Sequence, residues 1–448
     1  MNEQISFSFG YSTAPMPPSL PRVPVFGNAL GLLKQPEKFL TEAYKKYGPV
    51  FQINVMGKPI VVMAGQEANK FAQKHGGQVF SHQDLFYDLA KELGSPRNMI
   101  ALEGDIHTLY RKTAKSGYSR KTVIQGMQEI FVEVDKFIDM TPVGTRFELF
   151  PAVQRLISIQ LGKIAMNVDV TPQIDALQDF MRRLLYIEVS KIWPKWFKKF
   201  PRYRRSHQIT LALADEIVAQ HLEYPPGKAR PRDLVDDFLE AHRENPEQIS
   251  MADVRSAALG PILAGQDTVA GTTAYMMYAI LHNEQIYAQV QAEVNQLFKS
   301  EVISSAQLRE ASTLHEVAKE TMRRYPVAPF VPQIAVEEFA FAGYRIPQGQ
   351  MVYLAQSVIH FLDENFEDPF TFRIDREQTI KPSDISPFGL GPHICIGAGM
   401  GEIQIMLNIA RLLFQGEYSI SPANYQIVSK ALPPSPKNFY VELVRKRN

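Results

Sequence analysis

Apolar and polar residues alternate in short runs near both ends of the chain and follow a helical period through its middle. A helical stretch at 36–47 precedes two strand-like runs, at 50–56 and 59–64. Gly57 and Lys58, between these runs, predict a hairpin turn. The strand-like pattern returns later in the chain, at 333–336, 339–346, 351–355 and 439–444. The pattern therefore predicts a small β portion built from both ends of the chain.

The long middle of the chain is mostly helical in pattern, and one more helix is expected near the C-terminus. Proline-containing breaks interrupt the pattern at 142–144, 194–201 and 225–231. We expect a mainly α (α+β) fold that forms a single domain over residues 1–448. Its β-rich portion should cover about 48–66 and 333–356 plus the C-terminal strands, and its helical portion about 67–324 and 397–414.

The segment 256–283 has very little charge, which raises the question of a membrane span. A span needs about 20 predominantly apolar residues, and Gln266, Asp267 and several Thr and Gly residues interrupt this one. A buried helix of a soluble protein is the better interpretation. The first 27 residues lack the basic and apolar regions of a signal peptide.

The composition narrows the class of protein. Of 448 residues, 45% are hydrophobic and 21% charged, which is typical of a globular chain and not of a disordered one. Lys and Arg number 48 against 47 Asp and Glu, so no global field attracts nucleic acid. Cys395 is the single cysteine, which excludes an internal disulfide and a Cys-rich zinc site. We expect a cytoplasmic protein, because one thiol is consistent with a reducing compartment.

The segment around Cys395 has the features that a thiolate ligand to haem iron requires. Gly389 and Gly391 allow a tight loop whose backbone can lie close to a flat ligand. Cys395 stands just before the last predicted helix, whose N-terminal N–H groups stabilise a thiolate. Gly397 lets the backbone approach the sulfur and donate to it. This combination favours axial ligation of haem iron by Cys395.

Two other interpretations fit this segment less well. A lone cysteine is most often a small buried apolar residue. A phosphate-binding glycine loop would follow an apolar strand with GxGxxG spacing, and the glycines at 397, 399 and 401 have neither feature.

With these residues in view, the sequence resembles the cytochrome P450 family, the haem-thiolate monooxygenases. The match to the family's haem-binding signature reads Phe388-x-x-Gly391-x-His393-x-Cys395-x-Gly397. The resemblance covers essentially the whole chain. It implies a cytochrome P450 fold, in which a large helical lobe and a small β-rich lobe hold haem b (iron protoporphyrin IX) between them. Cys395 would then bind the iron, with Phe388, Gly389 and Gly397 close to the cofactor.

Glu320 and Arg323 stand three residues apart on a predicted helix. Such pairs are common on surface helices. Upstream of the cysteine loop, however, the pair resembles the buried ExxR pair with which the family braces its haem pocket. The stretch containing Asp375 and Arg376 looks like the source of a third partner, which we take to be Arg376. These residues are expected to be structural and not catalytic.

Ala264, Asp267 and Thr268 lie within the low-charge helix. The small residues 264 and 265 leave room for a planar cofactor and O₂. A threonine hydroxyl often bonds the i−4 carbonyl, which is a purely structural role. A buried aspartate beside it is costly without a partner. The two residues resemble the family's acid–alcohol pair, in which Thr268 would hold oxygen and Asp267 would relay protons.

His107 and Arg111 are one helical turn apart. A lone HxxxR is more often a solvated helix face. After Gly104, the pair resembles the helix with which the family binds the haem propionates, and His393 would be a third donor. Many members also have an arginine after the position of Pro332, where this chain has Gln333, so the role of Gln333 stays open.

A run of basic residues without an acid lies between Asp105 and Glu129. Its members are Arg111, Lys112, Lys115, Arg120 and Lys121. They fit a solvated helix face or, as the resemblance implies for a helix on the thiolate side of the haem, a docking site for an acidic electron donor. The chain has no flavin- or nicotinamide-binding segment, so we expect a separate ferredoxin- or flavodoxin-type donor with its reductase.

Residues 193–205 contain both tryptophans and a dense basic run. Interleaved basic and aromatic residues occur at membrane and nucleic-acid interfaces, and a solvated loop is equally consistent with them. We expect no nucleic-acid partner and at most a peripheral contact with a membrane.

Three classes of function remain. The Asp267–Thr268 pair favours a monooxygenase that inserts one oxygen atom from O₂ into a lipophilic small molecule, by hydroxylation or epoxidation. The alternatives are a haem-thiolate enzyme that uses peroxide or rearranges a hydroperoxide, and a non-enzymatic haem-binding sensor. Fatty acids, terpenoids and steroid-like molecules all fit as substrates. The substrate pocket is expected to include Phe86, Leu263, Phe330 and Val331.

Overall fold

The computed structural model describes residues 7–10, 13–228, 230–300, 303–376, 385–430 and 433–447. The helices are α1 Ala29–Lys34, α2 Pro36–Tyr47, α3 Gln66–Val79, α4 Gln83–Glu92, α5 Gly104–Ala114, α6 Arg120–Gln125, α7 Met127–Met140, α8 Leu149–Met166, α9 Ile174–Leu184, α10 Pro201–Glu223, α11 Leu234–Glu244, α12 Met251–Ala258, α13 Gly260–Leu281, α14 Glu284–Leu297, α15 Ser305–Glu310, α16 Ser312–Arg324 and α17 Ala398–Gln415. The strands are β1 Phe7–Phe9, β2 Val50–Val55, β3 Lys58–Ala64, β4 Phe80–Ser81, β5 Arg146–Glu148, β6 Val331–Ala335, β7 Phe339–Phe341, β8 Tyr344–Ile346, β9 Met351–Ala355, β10 Gly416–Ile420, β11 Ser429–Lys430, β12 Ser435–Pro436 and β13 Tyr440–Lys446.

These elements form two compact units. The first, called the β-rich unit below, comprises Met1–Leu85, Glu320–Cys395 and Val428–Pro434. The second, called the helical unit, comprises Phe86–Lys319, Ile396–Ile427 and Ser435–Asn448. The mainly α (α+β) class expected from the sequence is confirmed, while the grouping of residues 1–448 into a single domain stays a prediction.

The β-rich unit contains a five-stranded sheet in the order β2-β3-β9-β6-β4. Strands β3 and β9 are parallel, and the other neighbours are antiparallel. The β2–β3 turn is formed by Met56 and Gly57, with φ of 51° and 87°, the positive values that a two-residue hairpin turn of type I′ requires. The turn expected at Gly57 and Lys58 is therefore one residue too late, because Lys58 already pairs with Val55.

Both faces of this sheet are buried, because alternate residues of β3 pack into two different apolar clusters. Val61 and Met63 belong to one apolar cluster, which includes Phe71 of α3. Ile60 and Val62 belong to another, which includes residues of α2 and of a buried 3₁₀ helix at Gln356–Phe361. Successive side chains of a strand point to opposite faces, so two covering layers give β3 a continuous apolar sequence.

The helical unit is built around α13, which packs along α8. Residues 269–280 of α13 are all buried, which explains the low charge of this part of the sequence. The low-charge segment is two helices and not one: α12 ends at Ala258, and α13 starts with Pro261 in its first turn, where a proline is tolerated. Among the described residues, no helix is both long and apolar enough to cross a membrane.

The C-terminal strands β10 and β13 lie in the helical unit, where they form a three-stranded sheet with β5. The helix expected at about 397–414 is observed as α17, and the predicted strand at 439–444 is observed as β13. Helix α17 begins three residues after Cys395, as the sequence predicts.

Candidate active site

In the β-rich unit, residues 385–395 form a loop that presents Cys395 at the surface. The N–H of Cys395 donates to the carbonyl oxygen of Phe388 at 2.8 Å, which closes the loop on itself. The N–H of Gly391 donates to Oε1 of Gln73 at 3.0 Å and ties the loop to α3. These bonds hold the thiol on a fixed backbone.

The loop has the geometry of a cradle for a flat ligand. Gly389 and Gly391 have φ of 84° and 72°, a region that strains residues with a Cβ. The nearest atoms to the point where a Cβ of Gly389 would be lie 4.0 Å away, whereas a Cβ on Gly391 would lie 3.0 Å from the carbonyl oxygen of Ala72. Gly391 therefore lets the loop pack against α3, while an exposed thiol beside the uncrowded Gly389 fits haem iron. The residues present therefore fit the cofactor that the sequence predicts.

His393 ends a short 3₁₀ helix in this loop and is half-buried, with its ring centroid 4.1 Å from that of His82. Gln333 is buried in β6, and its Oε1 has no hydrogen-bond partner among the described residues. A buried oxygen without a hydrogen bond costs free energy, so a hydrogen-bond donor of a ligand would be stabilised at this position.

Glu320 and Arg323 form a buried ion pair in the β-rich unit. Arg323 Nε donates to Glu320 Oε2 at 2.7 Å, and Arg323 Nη2 donates to Oε1 at 2.8 Å. Arg323 Nη1 also donates to the carbonyl oxygens of His360 and Pro369, at 2.7 and 2.8 Å. A bidentate pair with its remaining donors satisfied is the arrangement that makes a buried charge tolerable.

Arg376 joins this pair, while its neighbour does not. Arg376 Nε donates to Glu320 Oε1 at 3.0 Å, and its other nitrogens donate to backbone carbonyls, among them that of Thr371 at 2.7 Å. Asp375 is exposed and pairs with Arg373 at 3.1 Å. From the stretch indicated by the sequence, Arg376 thus contacts Glu320 through its side chain and Arg373 through its backbone N–H. The roles of these three residues toward a haem stay predictions.

In the helical unit, α13 carries Asp267 and Thr268. The Thr268 hydroxyl donates to the carbonyl oxygen of Ala264 at 2.7 Å. Nε2 of Gln154, on α8, donates to Oδ1 of Asp267. Burial raises the pKa of Asp267 to about 6, although the hydrogen bond from Gln154 and the charge of Arg182 oppose the shift. A carboxyl group with this pKa can take up and release a proton near neutral pH.

The two small residues of α13 differ in their surroundings. Ala264 is exposed, and its predicted contact with the cofactor stays a prediction. A Cβ on Gly265 would lie 2.6 Å from Cδ1 of Leu161, so this glycine allows α8 to approach α13. The sequence-based expectation that residue 265 leaves room for the cofactor is therefore wrong, because α8 occupies that side of the helix.

The other predicted site residues are divided between the units. His107 is buried and Arg111 half-buried on α5 of the helical unit, which also contains half-buried Phe86 and Leu263. In the β-rich unit, the ring of Phe330 stacks on Tyr353 at 4.4 Å between centroids, and Val331 pairs with Leu354 in the sheet. Phe330 thus has a packing role as well as the predicted contact with substrate.

The basic run between Asp105 and Glu129 lies on two helices, and the expectation of one helix is wrong. Arg111 and Lys112 are on α5, while Arg120 and Lys121 begin α6, because Ser119 caps a new helix. Arg120 Nη2 donates to Glu402 Oε2 of α17 at 2.6 Å, so its charge is already paired. Lys112 and Lys115 are exposed.

Much of the basic charge in 193–205 is neutralised within the helical unit. Lys198 pairs with Glu92 at 2.9 Å, Lys195 pairs with Asp88, and Arg202 pairs with Asp179 at 3.0 Å. These pairs argue against a nucleic-acid surface. Trp196 and Phe200 remain exposed, at 55% and 43% of their full areas.

Sequence reasoning missed two residues of this geometry, Gln154 and His360. Gln154 lies 113 residues before Asp267, and a glutamine on an amphipathic helix carries no signal of such a partner. His360 falls in an apolar run, where its contacts with two separate segments depend on the fold alone.

Comparison with known proteins gives concordant matches. The sequence model of the family described as "Cytochrome P450" matches residues 17–430. Abscisic acid 8'-hydroxylase 4 of Arabidopsis thaliana is 24% identical, over 94% of this chain and 92% of that protein. A cytochrome P450DA heme domain superposes with a TM-score of 0.83 at 19% identity, covering 98% of this chain and 99% of that one. A retinoic acid-bound cyanobacterial CYP120A1 superposes with a TM-score of 0.80 at 20% identity, covering 97% and 100%. The solved structures share this fold.

Proposed function

The chain belongs to the cytochrome P450 family of haem-thiolate monooxygenases, and from this premise we propose that it inserts one oxygen atom from O₂ into a lipophilic, terpenoid-like molecule. Electrons come from a separate ferredoxin- or flavodoxin-type donor with its reductase. The observation that carries the proposal is the Asp267–Thr268 pair, with Asp267 held by Gln154 and able to exchange protons near neutral pH.

The cofactor of the family is haem, and we take it to be haem b. Cys395 would bind the iron, while His393, His107 and Arg111 would bind the propionates. When bound, the haem supplies the activation of O₂ and the transfer of its oxygen to the substrate. The backbone of Gly389, which has no atom nearer than 4.0 Å to the position of a Cβ, would allow the flat ring to lie against the loop.

The chain's own contribution to the chemistry is the delivery of protons. Gln154 orients the Asp267 carboxyl, because its amide donates to Oδ1. The Thr268 hydroxyl donates its hydrogen to the Ala264 carbonyl and keeps its lone pairs to accept another hydrogen bond. Asp267 takes a proton from solvent at its carboxyl oxygen, and Thr268 accepts and orients the next donor. A peroxide-using enzyme needs no such relay.

Turnover with two oxidant systems tests this proposal. The holoenzyme is supplied either with O₂, nicotinamide and a donor–reductase pair, or with hydrogen peroxide alone. We expect product formation with the first system and slow, inactivating turnover with the second. Equal or faster turnover with peroxide would favour the alternative, a peroxide-using or hydroperoxide-rearranging enzyme.

The substrate class is proposed from the relatives' names. One relative is named for the hydroxylation of abscisic acid, and a similar structure binds retinoic acid. Both names are those of carboxylic acids built on isoprenoid carbon skeletons. Titration of the ferric holoenzyme with a panel of terpenoid acids, fatty acids and steroids should give the largest spin-state change with the terpenoid acids. A response confined to another class would reassign the substrate.

Two observations support a proposal on localisation. A single thiol is consistent with the cytoplasm, and exposed Trp196 and Phe200 offer an apolar contact for a membrane surface. We propose a cytoplasmic enzyme whose contact with lipid is peripheral. Sedimentation with neutral phosphatidylcholine vesicles should be weak and should disappear in the Trp196→Ser, Phe200→Ser variant.

A further inference from the structure

His360 is a fully buried histidine that contacts two parts of the β-rich unit. It lies in the 3₁₀ helix Gln356–Phe361, in which every residue is buried. Its backbone carbonyl oxygen accepts from Arg323 Nη1 at 2.7 Å. Its ring nitrogen Nε2 accepts from the backbone N–H of Ser386 at 2.9 Å. One residue thus connects the Glu320–Arg323 pair to the start of the cysteine loop.

The direction of the ring hydrogen bond fixes the tautomer of His360. A backbone N–H can only donate, so Nε2 carries no proton and the ring proton is on Nδ1. Burial, and then the charge of Arg323, lowers the pKa of His360 to about 3, so the ring is neutral. Nδ1 has no hydrogen-bond partner among the described residues. The hydrogen bond of the ring is therefore the one that Nε2 accepts, and the N–H of Nδ1 makes none among the described residues.

The backbone between Ser386 and Phe388 connects the anchor at His360 to the cysteine. Ser386 precedes Pro387, which restricts the backbone conformation of both residues. The next residue, Phe388, offers the carbonyl oxygen that accepts the N–H of Cys395 at 2.8 Å. The Ser386 hydroxyl also donates to the carbonyl oxygen of Gln356 at 3.2 Å, in the same 3₁₀ helix as His360. One stiff residue, Pro387, separates the anchored Ser386 from Phe388, whose carbonyl oxygen holds the cysteine.

We propose that His360 is a positioning residue of the thiolate centre, whose neutral imidazole accepts the Ser386 N–H and couples the Glu320–Arg323 pair to the loop that carries Cys395. The inference rests on the proposed function, because the thiolate is the ligand that the loop presents. His360 does not take part in oxygen chemistry. It determines how firmly the loop holds the sulfur in place.

Two substitutions of His360 distinguish the effect of the hydrogen-bond acceptor from the effect of the imidazole ring itself. His360→Leu removes the acceptor and strands the Ser386 N–H in the interior. His360→Gln keeps an acceptor, because its amide oxygen reaches about the position of Nε2. The readout is the ratio of the blue-shifted to the thiolate-type Soret band of the ferrous–carbonyl complex. We expect the ratio to rise roughly tenfold in His360→Leu, the change that loss of one buried hydrogen bond produces in an equilibrium constant, and to be restored in His360→Gln.

Phe361→Leu is the matched control, because Phe361 is fully buried in the same 3₁₀ helix and its side chain is purely apolar. This variant should melt at a lower temperature and keep the wild-type ratio of Soret bands. A His360→Leu ratio equal to that of Phe361→Leu, or a His360→Gln ratio equal to that of His360→Leu, would overturn the proposal. A wild-type protein without the thiolate-type band would instead refute the proposed function.

A second measurement needs no stable variant. In the diamagnetic ferrous–carbonyl form of the wild-type holoenzyme, ¹H–¹⁵N correlation spectra of the histidine rings report the tautomer of each ring. His360 should be neutral with its proton on Nδ1, and it should remain so at pH 5. A proton on Nε2, or a charged ring, would contradict the proposal even if His360→Leu failed to fold.

Discussion

At the scale of single residues, the proposed proton delivery depends on the ionisation of Asp267 and on the hydroxyl of Thr268. The structure shows that Thr268 back-bonds to Ala264, a contact that a purely structural threonine would also make. Variants at position 268 are therefore needed to distinguish a catalytic threonine from a purely structural one. Asp267 differs from Thr268 in this respect, because burial raises its pKa and its hydrogen-bond partner, Gln154, lies on another helix.

Replacement of Thr268 by alanine should uncouple electron consumption from product formation. Thr268→Ala should still bind haem and substrate and accept electrons, because none of these steps needs the hydroxyl. Product should fall about 10²-fold, the usual loss with one acid–base contact, while hydrogen peroxide accumulates. Thr268→Ser should restore most of the coupling. The measurement is product and peroxide formed per nicotinamide consumed, and full coupling in Thr268→Ala would contradict the assignment.

The raised pKa of Asp267 predicts a pH-dependent effect on stability. A carboxyl whose pKa rises from 3.8 to about 6 on folding favours the folded state below pH 4, and this contribution is lost as the pH rises through 6. Asp267→Asn lacks the ionisable group, so relative to wild type it should gain about 1–3 kcal/mol at pH 7.5. At pH 5 the gain should be clearly smaller. Urea unfolding of both proteins at the two pH values measures the difference, and a gain independent of pH would contradict the raised pKa.

At the scale of elements, helix α16 carries Glu320 and Arg323, which form buried ion pairs that also include Arg376. Glu320 holds Arg323 and Arg376 at once, and also accepts the backbone N–H of Arg373 at 3.0 Å. The sequence could indicate this network only through the resemblance, because an acid and a base three residues apart are common on helices. Burial, which distinguishes this pair from the exposed ones, is a property of the fold.

Removal of either member of the buried pair should abolish folding or haem incorporation. Glu320→Ala or Arg323→Ala strands a buried charge at a cost of about 3–5 kcal/mol, a large part of the stability of a typical protein. The matched control is Glu316→Ala on the same helix, whose partner Lys319 is 3.7 Å away and half-exposed. That variant should behave like wild type. The measurement is haem content per purified protein, and full loading of Arg323→Ala would contradict the role assigned to the pair.

The basic residues of α5 and α6 should differ in their effect on the electron donor. Charge reversal of Lys112 and Lys115 should slow donor-supported reduction several-fold at low salt, because exposed charges steer acidic partners, and the effect should fade at high salt. Arg120→Ala should have a smaller effect, since Arg120 already pairs with Glu402. Stopped-flow reduction with the donor measures the rates. Chemical reduction by dithionite should be unchanged in all variants, and equal effects of the three positions would contradict the assignment.

At the scale of the whole molecule, periodicity predicted the helical middle of the chain and several individual elements, while most side-chain partners, apart from Glu320, Arg323 and Arg376, came only from the structure. Helix α2 and strand β9 are observed where the sequence predicts them, because apolar periodicity reflects burial directly. The turn at Met56 was missed, since a methionine at positive φ has no sequence signal. Gln154 was missed because its contact with Asp267 depends on how α8 meets α13. Haem ligation by Cys395 stays a prediction, which rests on the glycines and the start of a helix that coincide around the single cysteine.

The ferrous–carbonyl spectrum of the holoenzyme shows whether Cys395 binds haem iron as a thiolate. The reduced wild-type holoenzyme should show, with carbon monoxide, the red-shifted Soret band that thiolate ligation produces. In Cys395→His the band should move to the position typical of imidazole ligation. An unshifted band in the histidine variant, or the absence of the red-shifted band in wild type, would contradict the account.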